Sequence, residues 1–522
     1  MKPGIRSTFK ARSPGRRVPG FFVSALRGAA ACAGFALILS TTAAAKTYRA
    51  TTVDELKTMN NALVAGDSLA IAPGNYDLSS LYLTKKGTAD KWIIVQGEPG
   101  AVLRSNSDCC NLVQVEGAAY VSFGGVELTL KDNNPGIDGI HYSAQYSHHI
   151  RMHDLKIHDL TGNGISMFPD SASDIELLNS EIANIEGSGL YWGYPGRNII
   201  HDVLIQGNYI HHCPKNPATE TDYGIQWKGW GYRARILNNV LHDVGGTTRS
   251  GLIVYYGKKP LAGDDPKDVN VVAGNVLWNC RSEGITVMSD ARIENNIVFD
   301  AGTGINIQNY NDESFSGNSA SENLTVRNNT VYRCRNRCFG ISGWGDNATT
   351  NAFTGNAAYQ ESVGHTAIIG NVGKGSASGN VTFGISSLTG TLTGALGDFV
   401  KVTAVGTVPA LDFYPAATSP LRDALDASLC AADDFNGTKR PQGKSCDAGA
   451  YEAGAAGNPG WGLKAGFKNG AGSAPVRARA PRAPGKGSSR KEMRRGAMLF
   501  APTDAVGMVR SDGRLDPTPV AR

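Results

Sequence analysis

The chain has 522 residues, 41% hydrophobic and 19% charged, with 51 Lys and Arg against 46 Asp and Glu. The formal +5 resides at the ends: residues 1–45 carry seven basic side chains and no acid, and residues 453–522 carry 13 basic against four acidic, leaving about −11 on residues 46–452. A body of that sign excludes a nucleic-acid-binding domain, and its apolar content suffices for a large folded core.

The first segment reads as a targeting sequence. A basic start (Lys2, Arg6, Lys10, Arg12, Arg16, Arg17, Arg27) precedes the apolar run Ala29–Ser40 and the small residues "TTAAA". That order is the n-, h- and c-region of a secretory signal, with cleavage expected after Ala45. The pair Arg16-Arg17 also fits a twin-arginine signal, and the apolar run is too short to span a bilayer. The spacing therefore predicts an exported protein, secreted or periplasmic, without a membrane span. Of nine cysteines, Cys32 lies in this segment. Export permits disulfides among the rest. Cys430 with Cys446, and Cys334 with Cys338, are candidate pairs.

Residues Thr52–Ala65 follow as an amphipathic helix, with Thr52 and Glu55 placed as a capping box. Val53, Leu56 and Leu63 share its apolar side and would cover an exposed sheet edge. The phrase "GDSLAIAPGNYD" then enters a strand through a Gly-Asp turn.

From Gly139 the chain repeats. Strand-like pieces start with Gly and an aliphatic residue at Gly139, Gly164, Gly189, Gly224, Gly251, Gly284, Gly304 and Gly340, at intervals of 20 to 36 residues. Between them recurs a turn asparagine: Asn208, Asn239, Asn275, Asn296 and Asn329. Strand-sized pieces at such a period, with no helical periodicity between them, predict an all-β solenoid: a single-stranded right-handed parallel β-helix with an N-terminal capping helix. The turn Asn tolerates left-handed backbone, and a stack of such side chains could hydrogen-bond along the axis. Cys213, Cys280 and Cys334 each lie five residues after a turn Asn but in alternate coils, ~10 Å apart by strand spacing, so they read as buried thiols. The phrase "SPLRDALDA…CDAGAYE" is expected to close the far end, and residues 453–522, rich in Gly, Ala, Pro and Arg, read as a basic disordered tail. A monomer is expected.

Alternation along each strand places the second and fourth residues after Gly outward. One outward row then holds His141, Ser166, Tyr191, Gln226, Ile253, Thr286, Asn306 and Ser342. The next holds Gly193, Lys228, Tyr255, Met288, Gln308 and Trp344, and a third Asp170, Trp230, Asp290 and Tyr310. Lys228 thus stands between Tyr191 one coil below and Tyr255 one coil above, flanked by Gln226 and Trp230 on its own strand. The long connections around this strand would wall a groove. Aromatics beside amides and one amine make a carbohydrate platform, with Gln226, Trp230, His141, Asn306, Gln308 and Tyr310 as substrate-binding candidates. An outward lysine on a β-helix is ordinarily just solvated; the neighbours and loops single this one out.

The stretches "LKTMNNALVAGDSLAIAPGNYD", "GTADKWIIVQGEPGAVL" and "GNYIHHCPKNPATETDYGIQWKG" resemble the chondroitinase B and alginate lyase family of β-helix polysaccharide lyases, over about Leu56–Tyr256. The resemblance puts Lys228 at the place of the family's catalytic base. Its calcium-binding glutamates would fall on Thr221 and Tyr223, so only the adjacent Glu220 and Asp222 remain as carboxylates for calcium, the one cofactor implied. The family's arginine in the following coil would fall near Val254–Tyr255, where there is none, and Arg249 is the nearest substitute.

The chemistry expected of this face is β-elimination on an acidic, uronate-containing polysaccharide. It needs a base, a neutraliser for the carboxylate and an acid for the leaving oxygen. Lys228, desolvated among rings, is the candidate base; Tyr255 or Tyr191 the proton source; Arg249 the reserve. A glycoside hydrolase would need two carboxylates at a fixed separation, and Asp222 and Glu283 lie two coils apart. A C5-epimerase would use nearly the same residues as a lyase, and a glycan-binding adhesin would need the aromatics alone.

Overall fold

The computed structural model describes residues 44–108, 111–143, 145–167, 171–193, 199–216, 222–228, 231–255, 269–288, 290–309, 321–344, 349–402, 411–454, 466 and 468. Among these, three parallel sheets of 13, 13 and 12 strands run the length of a right-handed β-helix. Each coil contributes one strand to each sheet in turn, as in Ser68–Ile71, Gly74–Leu78 and Leu81–Leu83. Inward side chains of all three sheets merge into one apolar core, from Leu69 and Ile71 to Phe353 and Ile368. A lone coil could bury nothing; stacking is what makes the core.

The recurrent glycines have a steric cause. A β-carbon on Gly139 would sit 2.7 Å from the Gly164 carbonyl oxygen, one on Gly189 2.6 Å from that of Gly224, and one on Gly224 2.6 Å from that of Gly251. Coils approach too closely there for any side chain. Gly340 departs from the expected alignment: it pairs with Asn306 rather than Gly304. Ser342, whose N–H donates to the Ile307 carbonyl at 2.8 Å, therefore stands beside Gln308. Trp344 joins the interior core instead of the outer row.

The turn asparagines form a buried ladder longer than the sequence suggested. From Asn208 through Asn239, Asn275, Asn296, Asn329 and Asn356 to Asn380, each Oδ1 accepts the backbone and side-chain N–H of the preceding asparagine, where there is one, at 2.9–3.1 Å. The left-handed residue is not the ladder asparagine but the one before it: Gly207 (φ 70°), Asn238 (54°), Gly274 (67°), Asn295 (57°) and Asn328 (52°). Two roles fall on two adjacent residues, a turn former and an amide donor. Replacing Asn275 by Ala would orphan the Asn239 N–H, remove one of the two bonds its amide donates, and take the amide donor from the Ile236 carbonyl. Each buried orphan costs about 1–3 kcal/mol, so the expected loss is ~3 kcal/mol or more in denaturant unfolding. A loss below ~1 kcal/mol would mean that water or a shifted turn replaces the ladder.

The N-terminal helix spans Val53–Ala62, shorter than expected. Thr52 Oγ1 accepts the Glu55 N–H at 3.2 Å, but the Glu55 carboxylate reaches back to Thr51, not Thr52. Leu56 and Leu63 are buried and Val53 packs against the core. A strand that the sequence reading did not separate, Thr47–Ala50, precedes the helix and pairs with Ser68–Ile71.

At the other terminus the correction is larger. Phe399, Phe413, Leu421, Phe435 and Tyr451 do not stopper the last coil. They pack along the outer flank of the second sheet, on Val240, Val276, Ile297, Ala357 and Val381. That flank is apolar on both sides, so it needs a cover along its length. Cys430 and Cys446 form a disulfide, while Cys334 and Cys338, the other candidate pair, are unbonded and buried, as are Cys213 and Cys280. Lys468 donates to Asn238 Oδ1 at 2.9 Å and to the Gly274 and Phe435 carbonyls at 3.1 and 2.7 Å. No described helix is long and apolar enough to cross a membrane.

Candidate active site

The third sheet carries the outward rows. Strands Leu190–Trp192, Ile225–Trp227 and Leu252–Val254 are neighbours, with Tyr191 beside Gln226 and Gln226 beside Ile253. Ile225 and Trp227 point into the core. Lys228, just past its strand, donates its N–H to the Trp192 carbonyl at 2.9 Å, and Tyr255 donates likewise to Trp227 at 2.8 Å. Gly193 (φ 86°) is required below: a β-carbon there would run into the Lys228 carbonyl.

The Lys228 ammonium lies over three phenol rings, with Nζ 5.1 Å from the centroid of Tyr223, 5.6 Å from Tyr255 and 5.8 Å from Tyr191. Tyr223, Tyr255, Ile253 and Met288 form a small buried apolar cluster on the outside of the sheet. The Arg249 guanidinium also stands 5.8 Å from the Tyr223 ring, on an otherwise exposed side chain. Burial raises the Asp222 carboxyl above its ordinary range; Ser188 Oγ, donating to Oδ1 at 3.0 Å, and the charges of Arg249 and Lys228 oppose the shift.

Gln226 is fully buried, and among the described residues neither atom of its amide has a hydrogen-bond partner. An unsatisfied buried amide costs roughly 1–3 kcal/mol and calls for an explanation. A hydroxyl or carboxylate would satisfy it only by displacing what covers Gln226. Gln226→Met removes the orphaned amide at similar volume, so it is expected to stabilise the free protein by about 1 kcal/mol while weakening ligand binding. Thermal unfolding with and without oligosaccharide measures both; a destabilised variant would show that the amide is satisfied.

The other expected residues are dispersed. In register, His141 lies three coils below Gln226 and Asn306 three coils above, each ~14 Å away by strand spacing. His141 Nδ1 meets Ser166 Oγ at 2.7 Å, and Ser166 in turn donates to Asp138. Asn306 donates to Gln308 Oε1 at 2.9 Å. These two groups flank the platform rather than join the cluster around Lys228. Asp290 leaves the expected third row: it occupies the corner before the next sheet, where Asn323 donates to its Oδ1 at 3.0 Å. Glu220, Trp230, Tyr310 and Asp170 lie outside the described residues. Tyr223 was the residue missed. Its signal was present, since it occupies a position of the family's calcium pair, but an aromatic there says nothing about calcium. Of the two carboxylates considered for calcium, Asp222 accepts the Ser188 hydroxyl at 3.0 Å and Glu220 is among the residues not described.

Residues 138–320 match the family model described as right handed beta helix region. A mutant of the PL6 family alginate lyase AlyGC aligns at 14% identity over 71% of this chain and 55% of its own, with a TM-score of 0.48. The alginate lyase from Paenibacillus sp. str. FPU-7 aligns at 20% identity over 67% and 97%, with a TM-score of 0.36, and pectate lyase Pel9A at 14% over 78% and 96%, with 0.43. This chain spans little more than half the length of the first of these. No curated protein sequence matches it. At such identities the likeness concerns coil architecture and transfers no residue's role. The chain is a right-handed parallel β-helix, matched over residues 138–320 by the right handed beta helix region family, with polysaccharide lyases among its structural neighbours.

Proposed function

We propose that this chain is an exported polysaccharide lyase that cleaves a uronic-acid-containing polymer by β-elimination, with Lys228 as the base. The observation that carries the reading is the Lys228 amine held beside the outward platform with three phenol rings within 5.1–5.8 Å. Neutral Lys228 takes the proton α to the uronate carboxyl group. The released electron pair forms the ring double bond, and the bond to the 4-linked oxygen breaks. A phenol of Tyr191, Tyr255 or Tyr223 protonates that oxygen, and the resulting phenolate recovers its proton from the lysine ammonium or solvent. Arg249 offsets the substrate carboxylate, and the Gln226 amide holds it once what covers that amide is displaced. No step calls on a metal ion.

A hydrolase is the second reading, favoured by one observation: the raised Asp222 carboxyl lies two coils from Glu283, ~10 Å by strand spacing, near the range of an inverting pair. Incubating the purified full chain with alginate, pectate and chondroitin sulfate separates the readings. Rising ultraviolet absorbance from an unsaturated uronate supports the lyase. New reducing ends without absorbance support the hydrolase; inverted uronates without cleavage, an epimerase; and binding without turnover, an adhesin.

A further inference from the structure

On the second sheet, in the same two coils that carry Lys228 and Tyr255 beside the third, two histidines and an aspartate converge. His212 lies near the end of the strand Tyr209–Cys213, and His242 and Asp243 lie on the next strand of the sheet, Val240–Val244. One ligand atom from each of the three lies within 4.8 Å of the others. His212 (φ 52°) and Asp243 (φ 51°) both have left-handed backbone at equivalent corner positions of adjacent coils. The same left-handed position recurs in neighbouring coils at Asp159, Asn184, Asn279, Asp300 and Arg333, so it belongs to the coil and sets the direction of both side chains alike.

His242 is fixed in orientation. Its ring stacks between His211 (5.0 Å, 1°) and Trp278 (4.4 Å, 14°). Tyr209 Oη lies 2.7 Å from Nε2, which directs Nδ1 to Asp243 Oδ2 at 2.5 Å. Asn279 donates to the other Asp243 oxygen. Tyr209 and Asn279 thus hold His242 and Asp243 from outside, as the outer partners of metal-ligating histidines and carboxylates do, and His212 Nδ1 lies 2.9 Å from His211 Nδ1.

We infer that His212, His242 and Asp243 form a binding site for a divalent transition ion, which takes the place of the proton shared by His242 and Asp243. Two imidazoles and one carboxylate select zinc-like ions over calcium or magnesium, which prefer all-oxygen cages. Such an ion ties two adjacent coils together, and both strands run on into the connections that carry Asp222 and Arg249. The proposal does not depend on the lyase reading.

The test uses the untagged, chelator-stripped full chain and zinc chloride. Calorimetric titration is expected to give one saturable site per chain, and zinc to raise the unfolding temperature. His212→Asn and Asp243→Asn, chosen because Asn accepts the left-handed corner, are each expected to weaken binding about tenfold or more and remove the thermal shift. His149→Asn, at a comparable corner (φ 54°) in a separate histidine pair, should leave both unchanged. No saturable binding, or binding that His212→Asn and Asp243→Asn leave intact, overturns the proposal.

Discussion

Lys228→Ala is expected to lower elimination kcat by roughly 10²–10⁴-fold, the usual contribution of a positioned general base. Removing the amine leaves Tyr191, Tyr223 and Tyr255 facing one another with no group to take the carbon-bound proton. Lys228→Arg distinguishes the base from a mere charge. The guanidinium keeps the cation over the rings but does not deprotonate in proteins, so binding should persist while turnover is lost. A KM near the wild-type value with kcat collapsed is the expected signature. If Lys228→Arg turns over normally, the lysine acts only as a positive charge, and the base must be sought among the phenols.

The second large effect concerns the C-terminal cover. Arg440 and Glu452 are both fully buried, with Nη1 and Oε2 2.8 Å apart. Arg440 also donates to the Asp447 and Gly449 carbonyls, each at 2.8 Å, and Glu452 accepts the Gln442 and Asp447 N–H groups. Burial pulls the guanidinium below its ordinary pKa, and the neighbouring carboxylates oppose that shift. Glu452→Gln leaves a buried cation without its counter-charge, which is expected to cost about 3–5 kcal/mol. Urea unfolding should show that loss, accompanied by exposure of the apolar flank around Phe413 and Phe435. A cost below ~1 kcal/mol would mean that the neighbouring Asp434 and Asp447 carry the neutralisation.

Much of the fold was legible because a β-helix writes its geometry into the period. Gly189 and Gly224 recur because a side chain would strike the next coil's carbonyl, and the Asn239 and Asn275 turns recur because each amide must bond the next. Alternation alone put Tyr191, Gln226 and Ile253 in one row and Lys228 beside Tyr255. The Gly340 register failed because pairing there starts at Thr303 with Arg337, which sequence spacing cannot weigh.

The sequence by itself therefore determined the coils, the outward direction of Lys228 and the tyrosines one coil to either side, since strand period and coil stacking are local and repetitive. Only the tertiary structure decided that Tyr223 completes the ring of phenols, that Gln226 is buried without a partner among the described residues, and that His141 and Asn306 stand apart from them. It also placed the C-terminal segment along the flank. Those outcomes depend on connections of unequal length and on which surfaces cover one another, and no periodicity along one strand encodes them.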